Sequence, residues 1–359
     1  MPVTIRDVAK HLNLSVTTVS RALAGHDDVA ETTRQRVIKA AQEMGYVPTH
    51  AARQLRRQRT ETIGLVFPTL GSRFSDPFFS EFMAGVGDET SRSNYDLLVS
   101  VASPGEPEQT TYQRLVNSRR VDGFILVRMR LDDWRIRYLS QQGVPFASFG
   151  RSQTVKKSPN IGVDGHAGTR ELVRHLVSMG HSRIAFIGAP ADLTLSRDRL
   201  NGYKDGLDDA GIDFDPNLVL QGNLTRTGGY EATKTLLERK SLPSAIIGIN
   251  DLTALGSTRA AQEGGLIVGR DIAIAGFDGI EASEHSHPPL TTVYQPVHDI
   301  GRKVCVMLIT QIEGRELPQT HLLLKPKLIV RQSTMDRDLP VHPQSDNSEP
   351  ETYLLSSSE

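Results

Sequence analysis

The chain has 359 residues, with 41 Lys and Arg against 42 Asp and Glu and 38% hydrophobic content. That length is enough for two or three domains with a sizeable core, and the charge is ordinary for a soluble protein. The single cysteine, Cys305, excludes a disulfide framework and a cysteine-based zinc site.

The first sixty residues read as three short helical patterns. In the first, Thr4 is the cap, Asp7 completes a partial capping box, and Ile5, Val8, Ala9 and Leu12 make one apolar face. Asn13-Leu14 is the turn, and Ser15 caps a second helix with Val19, Ala22 and Leu23 inward. Val16, Thr17, Ser20 and Arg21 then point outward, a small polar surface with one Arg that suits close approach to base edges and phosphates. The third pattern, 31–44, carries Val37, Ile38, Ala41 and Met44 and stops at Gly45. Three helices with a tight first turn make a helix-turn-helix unit. Residues 1–60 hold ten Lys and Arg against five Asp and Glu, +5 in a chain whose total is −1. A basic segment interleaved with a folded apolar pattern is the footprint of nucleic-acid binding. After Pro48, residues 49–57 allow only about two helical turns, too few to be stable alone in water. Ala51, Ala52 and Leu55 form a narrow apolar face there, with Arg53, Arg56, Arg57 and Arg59 available to phosphate. An apolar side chain such as Leu55 suits a wedge between base steps in the minor groove.

From residue 62 the pattern alternates between strands and helices. Strands are expected at 62–70, 96–103, 123–129 and 145–149, with helices at 76–93, 109–119 and 132–142. The rhythm repeats with helices at 168–179, 196–210, 229–239 and 252–263 and strands at 183–189, 218–221, 245–249 and 272–277. A last helix at 297–313 is followed by one strand at 322–330. This is the signature of parallel sheets covered by helices, arranged as two lobes whose ligands lie beyond the carboxyl ends of the strands. Cys305, within Val304-Cys305-Val306-Met307-Leu308, is expected to be a buried small hydrophobe. Residues 335–359 are polar and rich in Ser, Pro, Asp and Glu, and are expected to be a disordered tail. No apolar run approaches 18 residues and no signal peptide precedes the first helix, so the expected location is cytoplasmic.

Polar groups gather just past the strand ends. They are Asp76 with Phe78 and Phe79, then Arg128, Arg130 and Arg151, then Arg197, Asp198 and Arg199, and finally Asn250-Asp251 and Asp278. Carboxylate, amide and guanidinium groups around an aromatic face fit a sugar's paired hydroxyls and apolar ring face. An Asp or Asn after a strand is equally the ordinary cap of the next helix. Trp134 is read as packing, and His285 and His287 as solvated. No Gly-rich dinucleotide motif, phosphate-binding loop or His-Glu-x-x-His is present, so no catalytic, metal or cofactor site is expected.

Four motifs resemble the lactose-repressor (LacI/GalR) family of bacterial transcription regulators. They are Val3-Thr4-Ile5-Arg6-Asp7-Val8-Ala9, Ser15-Val16-Thr17-Thr18-Val19-Ser20-Arg21-Ala22-Leu23, Thr33-Arg34-Gln35-Arg36-Val37 and Met44-Gly45-Tyr46-Val47-Pro48. The resemblance implies an all-α helix-turn-helix headpiece joined to an α/β, two-lobed core like a periplasmic binding protein. The implied division is a DNA-binding domain at 1–48, a hinge helix and linker at 49–61, and an effector-binding and dimerisation domain at 62–334. Lobe one would comprise about 62–162 and 291–320, and lobe two about 163–290 and 321–334. Val16 and Thr17 match the positions that chiefly set base preference, Arg21 a third contact, and Ala52 and Leu55 the hinge helix. The expected DNA-contacting set is Thr4, Ser15, Val16, Thr17, Thr18, Ser20, Arg21, Tyr46, Ala52, Arg53, Leu55 and Arg56. Pro48-Thr49-His50 departs from the Pro-Asn-Arg that many members of the family carry at the hinge entrance. The expected effector set is Asp76, Phe78, Phe79, Arg130, Arg199, Asn250 and Asp278. The implied protein is a homodimer, or a higher assembly, on pseudo-palindromic double-stranded operator DNA. It is expected to be a repressor of carbohydrate-utilisation genes controlled by a mono- or oligosaccharide. A cytoplasmic receptor with no DNA role, or a corepressor-type regulator sensing a nucleobase, are the alternatives.

Overall fold

A computed structural model describes residues 3–23, 25–46, 59–68, 76–151, 158–335 and 352–353. The expected hinge residues Ala52, Arg53, Leu55 and Arg56, and most of the expected tail, lie outside the described residues. Two compact units divide at Glu61.

In the first unit, α1 (Ile5–Leu12), α2 (Val16–Leu23) and α3 (Glu31–Glu43) surround Val8, Val19 and Val37, all fully buried. The caps follow the residue pattern. Asp7 accepts from the Thr4 N–H at 2.8 Å and the Thr4 hydroxyl at 2.7 Å, and the Thr18 N–H donates to Ser15 Oγ at 3.0 Å. Asn13 takes a left-handed φ of 53° at the end of α1, which turns the chain directly into α2.

The second unit is built on two sheets. The first contains β1 (Thr62–Pro68), β2 (Asp96–Ala102), β3 (Gly123–Leu126), β4 (Phe146–Phe149), β5 (Asn160–Val163), β11 (His321–Leu324) and β13 (Thr352–Tyr353), in the order β13-β11-β5-β4-β3-β1-β2. Helices α4 (Pro77–Arg92) and α11 (Val297–Ile312) cover one face through Phe82, Val86, Ile300, Val304 and Leu308. The two helices meet at Gly85 and Gly301. A Cβ on Gly85 would lie 2.0 Å from the His298 carbonyl oxygen, so only glycine fits. Helices α5 (Glu106–Asn117) and α6 (Trp134–Gln141) cover the other face. Trp134 packs edge-on to Tyr112 at 5.5 Å, and Cys305 is fully buried.

The second sheet contains β6 (Ile184–Gly188), β7 (Val219–Gln221), β8 (Ala245–Gly248), β9 (Ala273–Asp278), β10 (Thr291–Tyr294) and β12 (Lys327–Ile329), in the order β12-β10-β9-β8-β6-β7. One face lies under α7 (Gly165–Ser178) and α8 (Thr194–Asp209), the other under α9 (Arg226–Leu237) and α10 (Asp251–Glu263). All pairings in both sheets are parallel except β10 with β12 and β11 with β13.

The chain passes between the sheets after Val163, after Tyr294 and after Leu324, which shifts the lobe limits from those expected. Residues 291–294 pair with β9 in lobe two, and 321–324 pair with β5 in lobe one. The expected single strand at 322–330 is two strands in different lobes. Pro326, with no N–H to donate, separates them. Thr352 and Tyr353 pair antiparallel with Leu324 and Leu323, so this dipeptide departs from the expected disordered tail. It adds to the otherwise open edge of β11, whose unpaired backbone groups accept another strand. Among the described residues no helix is long and apolar enough to cross a membrane.

Candidate functional site

The headpiece presents one exposed helix face. Val16 is 42% exposed, and Thr17, Ser20 and Arg21 also face solvent, while Val19 and Ala22 on the opposite side of α2 are buried. Thr4 and Ser15 sit exposed at the starts of α1 and α2, and Thr18 and Tyr46 are half-buried. Arg21 reaches Asp28 at 2.6 Å, a surface pair that a phosphate can displace at small cost. A helix with its small side chains outward and an Arg at its far end has the shape needed to lie in a major groove.

The core holds a cleft where strand ends of the two sheets converge. From lobe one come Asp76, Phe78, Phe79, Arg128, Phe149 and Arg151; from lobe two come Asp198, Arg199, Asn250 and Asp278, with Gln295 at a crossover. Asp76 caps α4, accepting from the Phe78 N–H at 3.2 Å, and lies 3.6 Å from the Arg128 guanidinium. Burial raises its carboxyl above the usual range, against the pull of Arg128. Phe78 stacks on Phe149 at 5.7 Å and meets Phe79 edge-on at 5.6 Å, so the three rings form one apolar wall.

Across the cleft, Arg199 lies 3.5 Å from Asp278, donates to the Ile249 carbonyl, and stacks its guanidinium 3.6 Å from the centre of the Phe277 ring. Its buried Nε has no hydrogen-bond partner among the described residues. Asp278 has a φ of 123° and accepts from Gln295 Nε2 at 2.6 Å. Burial pushes its carboxyl well above the ordinary range, Arg199 pulls it back, and Asp251 and Asp76 add to the rise. A non-glycine residue held at such a φ is strained, and such strain gathers where a side chain must be aimed. Asn250 lines the cavity, but its Oδ1 already accepts from the Thr253 N–H at 3.0 Å and hydroxyl at 2.6 Å as the cap of α10. Its Nδ2 donates to the Leu224 carbonyl at 3.2 Å, which leaves one amide hydrogen for a ligand.

Arg130 is a correction. It does not line the cleft; its guanidinium pairs with the fully buried Glu108 at 2.7 Å. Arg128 takes the place expected for it. The cause is the φ of +50° at Arg128, which breaks strand alternation and sends residues 128 and 130 to opposite sides. Arg197 and Asp198 form an ion pair at 3.4 Å, with Asp198 also on the cavity wall. Sequence reasoning missed Gln295, because the four-residue strand before it was not recognised, and Phe149, whose place at the end of a foreseen strand was the available signal.

Asp251 sits directly behind the cleft, fully buried. It accepts from the Gly279 and Ile280 N–H groups, each at 2.9 Å, and from the Thr292 hydroxyl at 2.6 Å, tying β9 to β10. Burial raises its carboxyl to about 6 in spite of those donors.

Known proteins agree with this arrangement. Residues 4–49 match the model of bacterial regulatory proteins of the lacI family, and residues 173–334 that of a periplasmic binding protein-like domain. The transcriptional regulator CelR of Thermobifida fusca is 33% identical over 333 residues, 92% of this chain and 98% of its own. This chain is a member of the LacI family. The repressor CytR of Escherichia coli K12 is 33% identical over 92% of the chain and 96% of its own length. The structure of a CelR–cellobiose complex aligns with a TM-score of 0.72 at 31% identity, covering 92% of this chain and 99% of that one. A lac repressor dimer bound to operator and an anti-inducer aligns with a TM-score of 0.78 at 29% identity, covering 93% and 100%. This LacI-family chain is a DNA-binding transcription regulator of the helix-turn-helix type, with an α/β core of two mostly parallel sheets.

Proposed function

We propose that this regulator represses carbohydrate-utilisation genes and releases its operator when a mono- or oligosaccharide closes the cleft. The observation that carries this reading is the composition of the cavity, two acid–guanidinium pairs, Asp76–Arg128 and Arg199–Asp278, facing a wall of Phe78, Phe79 and Phe149. Sugar hydroxyls donate to the carboxylates and accept from the guanidinium groups, and the apolar ring face lies on the phenyl wall. The orphaned Nε of Arg199 and the free amide hydrogen of Asn250 are the donors that such a ligand satisfies. The solved CelR relative carries cellobiose.

On DNA, Val16 and Thr17 read bases, Arg21 contacts base or phosphate, and Thr4, Ser15, Thr18, Ser20 and Tyr46 fix the register on the backbone. A cytoplasmic homodimer places two headpieces on a near-palindrome. The solved lac repressor relative is itself a dimer bound to operator. The protein binds its ligand without chemical turnover. Coupling is reciprocal, so operator must weaken inducer binding by the factor with which inducer weakens operator binding. The test is a thermal-shift screen of sugars, nucleosides and nucleobases, followed by operator-fragment binding with and without each hit. A sugar that raises the melting temperature and lowers operator affinity is expected. Stabilisation by nucleobases alone, or an absence of salt-sensitive DNA binding, overturns the proposal.

A further inference from the structure

The loop after β3 does two things, and a buried charge cluster holds it for both. Arg135, in the first turn of α6, is fully buried. Its Nε and Nη2 donate to the two oxygens of Asp133 at 2.8 and 2.6 Å. Its Nη1 donates to the Val127 carbonyl at 3.0 Å and its Nη2 to the Arg128 carbonyl at 3.2 Å. Asp133 also accepts the Arg130 N–H at 3.1 Å, and Glu108 takes the Arg130 guanidinium. The backbone of residues 127–130 is thus pinned by two buried ions. A buried ion cluster holds little stability advantage over apolar packing. A planar guanidinium with five fixed donors is suited to fixing consecutive carbonyls in one arrangement.

Held this way, the loop reaches across to lobe two. The Met129 carbonyl accepts from the Thr194 N–H at 2.9 Å and from its hydroxyl at 3.2 Å. The Leu131 N–H donates to the Asp192 carbonyl at 2.8 Å, and Arg130 and Leu193 face each other as a bridge. The same loop aims Arg128 into the cleft at its positive φ.

We propose that Arg135 is a positioning residue that sets a backbone latch between the lobes at residues 129–131 and 192–194, so that lobe closure runs through this loop. The consequence for ligand affinity rests on the cleft reading above; the latch itself does not.

The test is amide hydrogen exchange on the full-length, ligand-free protein. Thr194 is the first residue of α8 and Leu193 before it is extended, so Thr194→Pro fits the helix start while deleting both bonds to Met129. The Leu131 amide is then expected to exchange roughly tenfold faster, the factor for losing two modest hydrogen bonds, with β3 and β6 unchanged. Arg135→Lys keeps the charge but not the fork. It is expected to speed exchange at Leu131 and also at Thr194 in the other lobe, which a merely structural role within lobe one leaves alone. Unchanged Leu131 exchange in Thr194→Pro, or an Arg135→Lys effect confined to lobe one, overturns the proposal. Should Arg135→Lys fail to fold, Asp133→Asn, which loosens the same guanidinium fork, takes its place with the same two outcomes. Failure of every sugar to bind would remove the cleft reading and leave these exchange results standing.

Discussion

Arg199→Met tests the cleft quantitatively. The substitution keeps an apolar stem against Phe277 and removes the guanidinium. It deletes the bond to the Ile249 carbonyl, about 1 kcal/mol, and the contact 3.6 Å above the Phe277 ring, about 2 kcal/mol when desolvated. It also strands Asp278, only 7% exposed, which keeps the Gln295 donor and loses its counter-charge. Breaking a buried pair costs about 3–5 kcal/mol while the remaining group stays charged. The carboxylate can instead take up a proton. An unfolded aspartate titrates near about 3.9, so each pH unit above that costs about 1.36 kcal/mol for a folded, protonated Asp278. Burial already holds the Asp278 carboxyl well above the ordinary range in the unsubstituted protein, so that protein also loses stability as pH rises, until the carboxyl ionises beside Arg199. Without Arg199 the carboxyl ionises only at higher pH, so the gap between the two proteins is expected to widen as pH rises. Adding Asp278→Asn removes the stranded group, so the double variant should lose less than the sum of the two single losses. Urea unfolding of the two single variants and the double variant at about pH 5 and about pH 7 reads these differences. A gap that narrows as pH rises, or a double variant equal to the sum of its parts, refutes the reasoning.

Asp251→Asn probes the buried carboxyl behind the cleft. Its folded value of about 6 lies above the unfolded one, so its favourable contribution is complete below about 3.9 and is lost as pH rises through about 6. The stability of the unsubstituted protein relative to Asp251→Asn should therefore fall by up to about 3 kcal/mol between pH 4 and pH 7; melting curves with a constant gap would contradict this. In the headpiece, Val16→Ala and Thr17→Ala should each relax preference at one operator position by about 1–3 kcal/mol, read by binding to a library of single-base operator variants, with uniform weakening as the opposing result. Arg21→Ala should lower affinity and reduce the slope of log affinity against log salt by about 1 if it contacts phosphate; an unchanged slope assigns it to bases or to neither.

What was legible in the chain was what local periodicity encodes. The apolar faces of α1 to α3, the caps at Thr4 and Ser15, and the long helices over Phe82 and Val304 all follow from spacing of three and four residues. The strands that escaped notice are short and carry weak patterns. Asn160–Val163 holds an Asn and a Gly within four residues, and Thr291–Tyr294 begins with two threonines between Pro289 and Pro296. Each is fixed by its neighbours in the sheet and not by its own propensity.

The cleft separates what a sequence can state from what only a fold can. Asp76, Arg199, Asn250 and Asp278 were foreseeable because each follows a recognisable strand, where an open-sheet fold puts its ligands. Their pairing was not, since Arg199 and Asp278 meet only when α8 and the end of β9 are brought together in lobe two. Arg128 and Arg130 show the limit most plainly. By alternation the two should face the same way, and either was a candidate. A single left-handed residue reverses that, and what holds it there is Arg135, a side chain whose own place in the sequence gives no sign of the cleft. Backbone conformation at such a point is decided by a buried partner acting on carbonyl groups, and the residues involved carry no periodicity that would reveal it.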